Sequence, residues 1–446
     1  MIRRATLVTL LAAVAASRAA PQAPTAKAAP QQAPRFTVDP LWPKPMPNRW
    51  ILGSAVGVAV DSRDHVFVLH LTDSFNARTE MGSGTVPPTG ECCTPAPAVL
   101  EFDADGNLIG SWGGPGSGYN WPTSPSGIAI DDKGDVWIAG VGGRDTRILK
   151  FKRDGTFLAQ FGQAGALTPV AEAVPAAADT AYQGAGRAGA LVVPVGRGGT
   201  AGRGGGRGGR GAGPPPLPAN SGSMDSFGGA AKLSFDASAG EAYVADGSRN
   251  RRVAVIDVST GAVKRLWGAY GSKPEDTNLP VYSPDAAASK QFGVPVRCAE
   301  LSKDGMVYVC DRANDRIQVF KKDGSFVREA KVSPRTLGEG SVWDIAFSRD
   351  PQQKYVYVAD GLNMKVRILD RQSLQELTSF GDGGRQPGEF YGVHSVATDS
   401  KGNLYTAETY EGKRVQKFLF NGVGPVTKAN TGVLWPTPVA KPGAKP

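Results

Sequence analysis

The stretch RCAELSKDGMVYVCD (297–311), with RIQVFKKDGSFVREAK (316–331) close behind it, decides the fold of this 446-residue chain. In each half, apolar and polar residues alternate along two arms rich in β-branched and aromatic side chains, and a Lys-Asp-Gly turn joins the arms. That is the pattern of a β-hairpin. The first hairpin returns as VGVAVDSRDHVFVLH (56–70), SGIAIDDKGDVWIAG (126–140), AAKLSFDASAGEAYVAD (230–246), VWDIAFSRDPQQKYVYVAD (342–360) and HSVATDSKGNLYTAE (394–408). The second returns as AVLEFDADGNLIGSWG (98–113), RILKFKRDGTFLAQFG (147–162), RRVAVIDVSTGAVKRLWG (251–268) and KVRILDRQSLQELTSFG (365–381). Two hairpins in succession make a four-stranded antiparallel blade, and repeated blades bury their faces against one another in a toroid.

The second strands end at positions 70, 140, 246, 311, 360 and 408. With the long loops 72–97, 163–224 and 272–290 set aside, they recur every 44 to 49 residues. The sequence therefore predicts an all-β, six-bladed propeller over 36–425. The sixth unit, ending in KRVQKFLFNG (413–422), supplies three strands. An open outer edge would expose backbone donors and acceptors, so the N-terminal FTVDPLWP (36–43) is expected to close the ring. GPVTKANTG (424–432) is the alternative closer.

At the ends, MIRRATLVTLLAAVAASRA (1–19) has basic residues, a short apolar run and small residues. It reads as a signal peptide for export to the periplasm or beyond, too short to span a bilayer. Residues 20–35 read as a Pro/Ala/Gln-rich spacer and 426–446 as a flexible tail. No later segment is apolar enough to cross a membrane. The Gly/Arg/Pro-rich insertion 163–224 is expected to be disordered. The formal charge of +9 is carried largely by the leader and this insertion, so the propeller itself offers no nucleic-acid surface.

The four cysteines are Cys92, Cys93, Cys298 and Cys310. Cys298 and Cys310 lie on the two arms of one hairpin, at roughly opposite positions, and a cross-strand bridge is one reading. The adjacent Cys92 and Cys93 either form a vicinal ring or stay reduced; three pairings are possible in principle. No CxxC spacing supports zinc.

The Asp-turn hairpin followed by DRANDRIQVF (311–320) resembles NHL repeats over roughly 50–422. FGVPVRCAELSKDGMVYVCDRANDRIQVF (292–320) and FYGVHSVATDSKGNLYTAET (390–409) are similar to the propeller of peptidylamidoglycolate lyases and their exported bacterial relatives. That resemblance implies zinc held by three His at the innermost-strand starts of alternate blades, with a channel Arg and Tyr. The equal-length hairpins place those ligand positions at Ser126, Arg297 and His394, with Val296 as an alternative to Arg297. Only His394 keeps the ligand type. Leu71 and Ser248 stand where an Arg and a Tyr are implied; Arg312 matches the channel Arg. A hydroxyl and a permanent cation cannot complete a zinc shell, so zinc is not expected. The resemblance also allows a structural calcium on backbone carbonyls, which leave no side-chain trace.

Arg297, Arg312 and His394, with Asp311 and Glu408 at strand ends, are then expected to form a channel mouth that binds a small anion such as a carboxylate. A structural role competes for each: Arg312 pairing with a strand-end acid, His70 bonding at a strand end, His65 solvated in its turn. Arg252, Arg316, Arg367 and Arg414 recur at third-strand starts and are expected to pair with strand-end acids. The reading is a monomeric exported binding module, its ligand a small anion or another exported protein. The rival is a lyase-like enzyme around His394 and Arg312. A third reading is a scaffold in an exported complex, with the flat faces and the 72–97 loop as contact surfaces.

Overall fold

The structure is a computed structural model and describes residues 31–76, 79–163 and 215–426. The stretch read as a signal peptide, most of that read as a spacer and of the insertion, and the tail beyond 426 lie outside the described residues.

Six four-stranded antiparallel sheets follow one another around an axis. Blade one runs through Ala55–Val60, Val66–His70, Val99–Phe102 and Leu108–Trp112. Blade two uses Pro125–Ile130, Val136–Gly140, Ile148–Phe151 and Phe157–Phe161, and blade three Ala230–Asp236, Glu241–Asp246, Arg252–Asp257 and Val263–Trp267. Blade four comprises Val296–Leu301, Met306–Asp311, Arg316–Lys321 and Phe326–Lys331, and blade five Asp344–Phe347, Tyr355–Asp360, Lys365–Asp370 and Glu376–Phe380. Val393–Thr398, Leu404–Glu408 and Arg414–Pro425 form three strands of blade six, and Gln32–Asp39 is its fourth.

That outer strand starts and ends four residues earlier than FTVDPLWP. Phe36 pairs with Phe420 and Asp39 with Lys417. Pro40–Pro43 leave the strand, and Trp42 is buried against Tyr405 and Phe102. The stretch read as spacer thus ends at 31. Gly424 and Pro425, assigned to the alternative closer, extend the third strand and face Ala33 and Gln32.

The blades meet through the aromatics of the second strands, where Trp137, Tyr243, Tyr308, Tyr357 and Tyr405 are fully buried. Trp137 packs on Phe235 of blade three at 5.4 Å, Tyr308 on Phe347 of blade five at 5.1 Å, and Tyr357 on Phe36 of blade six at 5.4 Å. Each large ring fills space that alternating strands cannot close alone.

The predicted Arg–acid pairs form in four blades. Arg252 Nε donates to Asp246 at 2.7 Å, Arg316 to Asp311 at 2.7 Å, Arg367 to Asp360 at 2.6 Å and Arg414 to Glu408 at 2.7 Å. Arg252 also donates to the backbone oxygens of Ser221 at 2.9 Å, Ser226 at 2.8 Å and Ser223. Ser221 and Ser223 are therefore buried and held by this arginine, against the expectation of disorder across all of 163–224. A buried guanidinium needs acceptors for its remaining N–H groups, and this segment provides them.

Cys298 and Cys310 form a disulfide within the first hairpin of blade four, with Cα atoms 4.8 Å apart. Cys92 and Cys93 form the second. The Cys298–Cys310 loop spans a sequence separation of 12, for which loop-closure entropy amounts to about 3 kcal/mol. The Cys298→Ala/Cys310→Ala protein is expected to lose about 2–4 kcal/mol in urea denaturation. A change below about 1 kcal/mol would show that the buried hairpin holds itself without the bridge.

Candidate functional site

The innermost strand of a blade carries a register shift near its start in blades one, two, three, four and six. The shifts fall between Ala55 and Gly57, Pro125 and Gly127, Ala230 and Lys232, Val296 and Ala299, and Val393 and Ser395. A bulge of this kind turns a side chain out of the pleat. Val56, Ser126, Ala231, Arg297 and His394 occupy these positions, and Trp343 precedes the first strand of blade five. All six line one cavity at the axis. Of these six, the polar ones come from blades two, four and six and the apolar ones from one, three and five; Lys232 and Asp344, one step further along their strands, also line the cavity.

The inner strands approach closely because two of them carry glycine after the bulge. A Cβ on Gly127 would meet the Ala231 oxygen at 2.1 Å, and one on Gly57 would meet Ile128 Cγ2 at 2.9 Å. The enclosed space is consequently about 10 Å³, room for about one water-sized atom.

Ser126, Arg297 and His394 thus come together as the hairpin alignment placed them. The Arg297 guanidinium donates to His394 Nε2. His394 is 2% exposed, and its edge meets Trp343 with ring centroids 5.7 Å apart. Burial, reinforced by the Arg297 and Arg312 charges, holds its pKa well below the ordinary imidazole value. The ring is therefore neutral. Ser126 Oγ is buried and makes no hydrogen bond.

These residues do not fit zinc. The nitrogen that would coordinate the metal accepts from a guanidinium, the second position is that guanidinium, and the third is a hydroxyl. Among the described residues no group of three or more His, Cys, Asp or Glu could hold a metal ion.

Four other sequence expectations need correction. Asp311 faces Arg316 and Asn314 and accepts from Gly293 N, so it is a blade-internal anchor instead of a ligand residue. Glu408 is likewise taken by Arg414, Gln416 and Tyr391 N. His65 is not simply solvated: its Nδ1 lies 2.9 Å from Glu101, beside Arg153. Arg312 pairs with Glu339 from the blade-five approach, with its guanidinium 4.6 Å above the Trp343 ring.

His70 bonds at its strand end as expected. Its Nε2 lies 2.9 Å from the Pro97 oxygen, and Nδ1 accepts from Gly53 N at 3.2 Å. Burial lowers its pKa to about 4, so it stays neutral there at physiological pH.

Sequence reasoning missed the charged hub just below the ring. Lys232 donates to both oxygens of Asp344, at 2.8 and 3.0 Å, and lies 3.1 Å from Glu300. Asp344 also accepts from Ser395 Oγ at 2.8 Å and Val396 N at 3.0 Å, and Val58 N donates to Ser395 Oγ at 3.3 Å. The chain of bonds ties blades one, six, five, three and four together. Each partner comes from a different repeat, so only ring closure reveals it.

Inner strands begin, and second strands end, on the face that carries the bulges. Connections from second to third strands and from blade to blade therefore emerge there. The loops 72–97 and 272–290 are of these two kinds, so both rise from the face above Arg297 and His394. No helix among the described residues is long and apolar enough to cross a membrane.

No family model matches the sequence, and no curated protein does. Among solved structures the chain is similar to a streptogramin B lyase at 11% identity and TM-score 0.42, covering 87% of this chain and 98% of that one. It is similar to virginiamycin B lyase from Staphylococcus aureus at 10% identity and TM-score 0.41, covering 87% and 89%. A structural-genomics protein of unknown function from Bacteroides thetaiotaomicron VPI-5482 reaches 13% identity and TM-score 0.46, covering 88% and 77%. At these values the likenesses carry no information on activity.

Proposed function

We propose that this chain is an exported binding module that takes the acidic tip of a ligand end-on at the axis, on the face that carries the 72–97 and 272–290 loops. The observation that carries the reading is Ser126 Oγ, buried without a hydrogen bond beside Arg297 in a space one oxygen atom would fill. A buried unsatisfied hydroxyl is costly unless something completes it. A carboxylate oxygen would accept from Ser126 and from Arg297, whose present acceptor is a neutral imidazole that can release it. Charge-assisted bonds of this kind are the strong ones. The leader and the Cys298–Cys310 disulfide support export, because such bonds persist in oxidising compartments.

The lyase-like alternative around His394 and Arg312 has less support, since Arg312 is engaged by Glu339 and His394 by Arg297. Titration calorimetry with acetate and glycolate tests the proposal. Arg297→Ala is expected to weaken binding about tenfold, the loss of one charge-assisted bond. Unchanged affinity would remove the axial site, and turnover of an α-hydroxyglycine peptide by the purified protein would install the lyase reading instead.

A further inference from the structure

Blade two breaks the Arg–acid rule that blades three to six obey. In those four, an acid ends the second strand and an arginine at or near the start of the third strand binds it. In blade two the arginine is present and the acid is not. Ile148 pairs with Ala139, which sets Arg147 opposite Gly140. Gly140 cannot become an acid, because a Cβ there would meet Pro122 Cβ at 2.4 Å and Asp145 Oδ2 at 2.6 Å. The nearby Asp145 is engaged elsewhere. It accepts from Thr123 N and Oγ1, Ser124 N and Gly142 N, all between 2.8 and 3.1 Å.

Arg147 is therefore a guanidinium without its carboxylate. Its Nε is buried with no hydrogen-bond partner, and among the described residues no hydrogen bond or ion pair involves it. It opens on a cleft of about 230 Å³ on the loop-bearing face, lined also by Asn120, Trp121, Thr123, Arg144, the already engaged Asp145 and Leu217. Asn120 to Thr123 belong to the approach to blade two, and Arg144 to Arg147 to its second-to-third-strand connection. Two walls are thus segments anchored on the same blade, and Leu217 of the connection to blade three adds to them. Arg144 donates to the Pro215 oxygen at 3.0 Å, which fixes a second cation at the rim.

We infer that this cleft binds a small organic carboxylate, whose acid group takes the place that an aspartate or glutamate side chain holds in blades three to six. Guanidinium geometry matches a carboxylate through two parallel N–H bonds. Trp121 offers apolar surface for the carbon body of the ligand, the usual complement to a few fixed polar groups in a small-molecule site. The site is separate from the axis and does not depend on Arg297.

Calorimetry on the full chain carrying Arg297→Ala, with benzoate, succinate and inorganic phosphate as probes, isolates this cleft from the axial one. Saturable binding of at least one carboxylate is expected, weakened tenfold or more by Arg147→Ala and partly retained by Arg147→Lys. Phosphate is expected to compete poorly. Absence of carboxylate binding, equal affinity in the Arg147→Ala protein, or binding of phosphate alone would each overturn the assignment. Should Arg147→Ala fail to fold, the lysine variant and chemical-shift perturbation of the Trp121 indole supply the same decision.

Discussion

Arg252→Ala is expected to destabilise the protein by about 3–5 kcal/mol, the range for removing one partner of a buried ion pair. Arg252 and Asp246 are both fully buried. Asp246 receives the Arg252 Nε and the Asn250 side chain, and Gly228 N as well. Without the guanidinium, a carboxylate remains inside the blade with its countercharge gone, and three backbone oxygens between 221 and 226 lose their donor. Lysine does not repair this, because a single ammonium cannot span the acid and those oxygens as a planar fork does. Arg367→Ala is expected to cost less. Its side chain is 12% exposed and its second partner, Glu376, 36% exposed, so water takes over part of the lost contact. Urea denaturation of the two variants checks the ranking; a loss below about 1 kcal/mol for Arg252→Ala would mean that the pair adds no more than a surface bridge.

Those four pairs were legible in the sequence because they repeat with the hairpin, one acid and one arginine at matching places. The ring positions Ser126, Arg297 and His394 were legible for the same reason: hairpins of equal length align without gaps. The bulge that turns them toward the axis was not, since an extra residue in a strand leaves no mark in an alternating pattern. The choice between Val296 and Arg297 was the visible trace of it. Asp311 was misplaced because a strand-end acid can face either the channel or the third strand, and alternation does not say which. Lys232, Glu300 and Asp344 escaped entirely, being separate in the chain and joined only across blades. Arg147 is the opposite case. Setting Gly140 beside Asp246, Asp311, Asp360 and Glu408 would have shown the missing acid from the alignment alone.

Lys232→Met is expected to cost about 3–5 kcal/mol at pH 8 and markedly less at pH 5. The methionine keeps the length of the side chain and removes the charge, leaving Asp344 and Glu300 to face each other near the axis. Burial, with Asp344 adding to it, raises the Glu300 pKa above the ordinary carboxylate value, and Lys232 opposes that rise. An acid with a raised folded-state pKa binds its proton more tightly when folded. It contributes stability below the usual carboxylate range and loses that contribution as pH climbs through the folded value. Deleting the ammonium enlarges the rise, so acidification neutralises Glu300 in the variant and returns part of what the substitution removed. Lys232 itself titrates above the usual ammonium range, with Asp344 and Glu300 countering its burial. Its own contribution is complete at both pH values and is lost only in strong base, so the unsubstituted protein gains less on acidification. Urea midpoints at pH 5 and pH 8 decide it: an equal loss at both would mean that the hub is not held by charge. The outcome also reaches the axial site. Asp344 joins blades three, five and six directly beneath the Arg297–His394 contact, so loosening it shifts the donors that an incoming acid would meet.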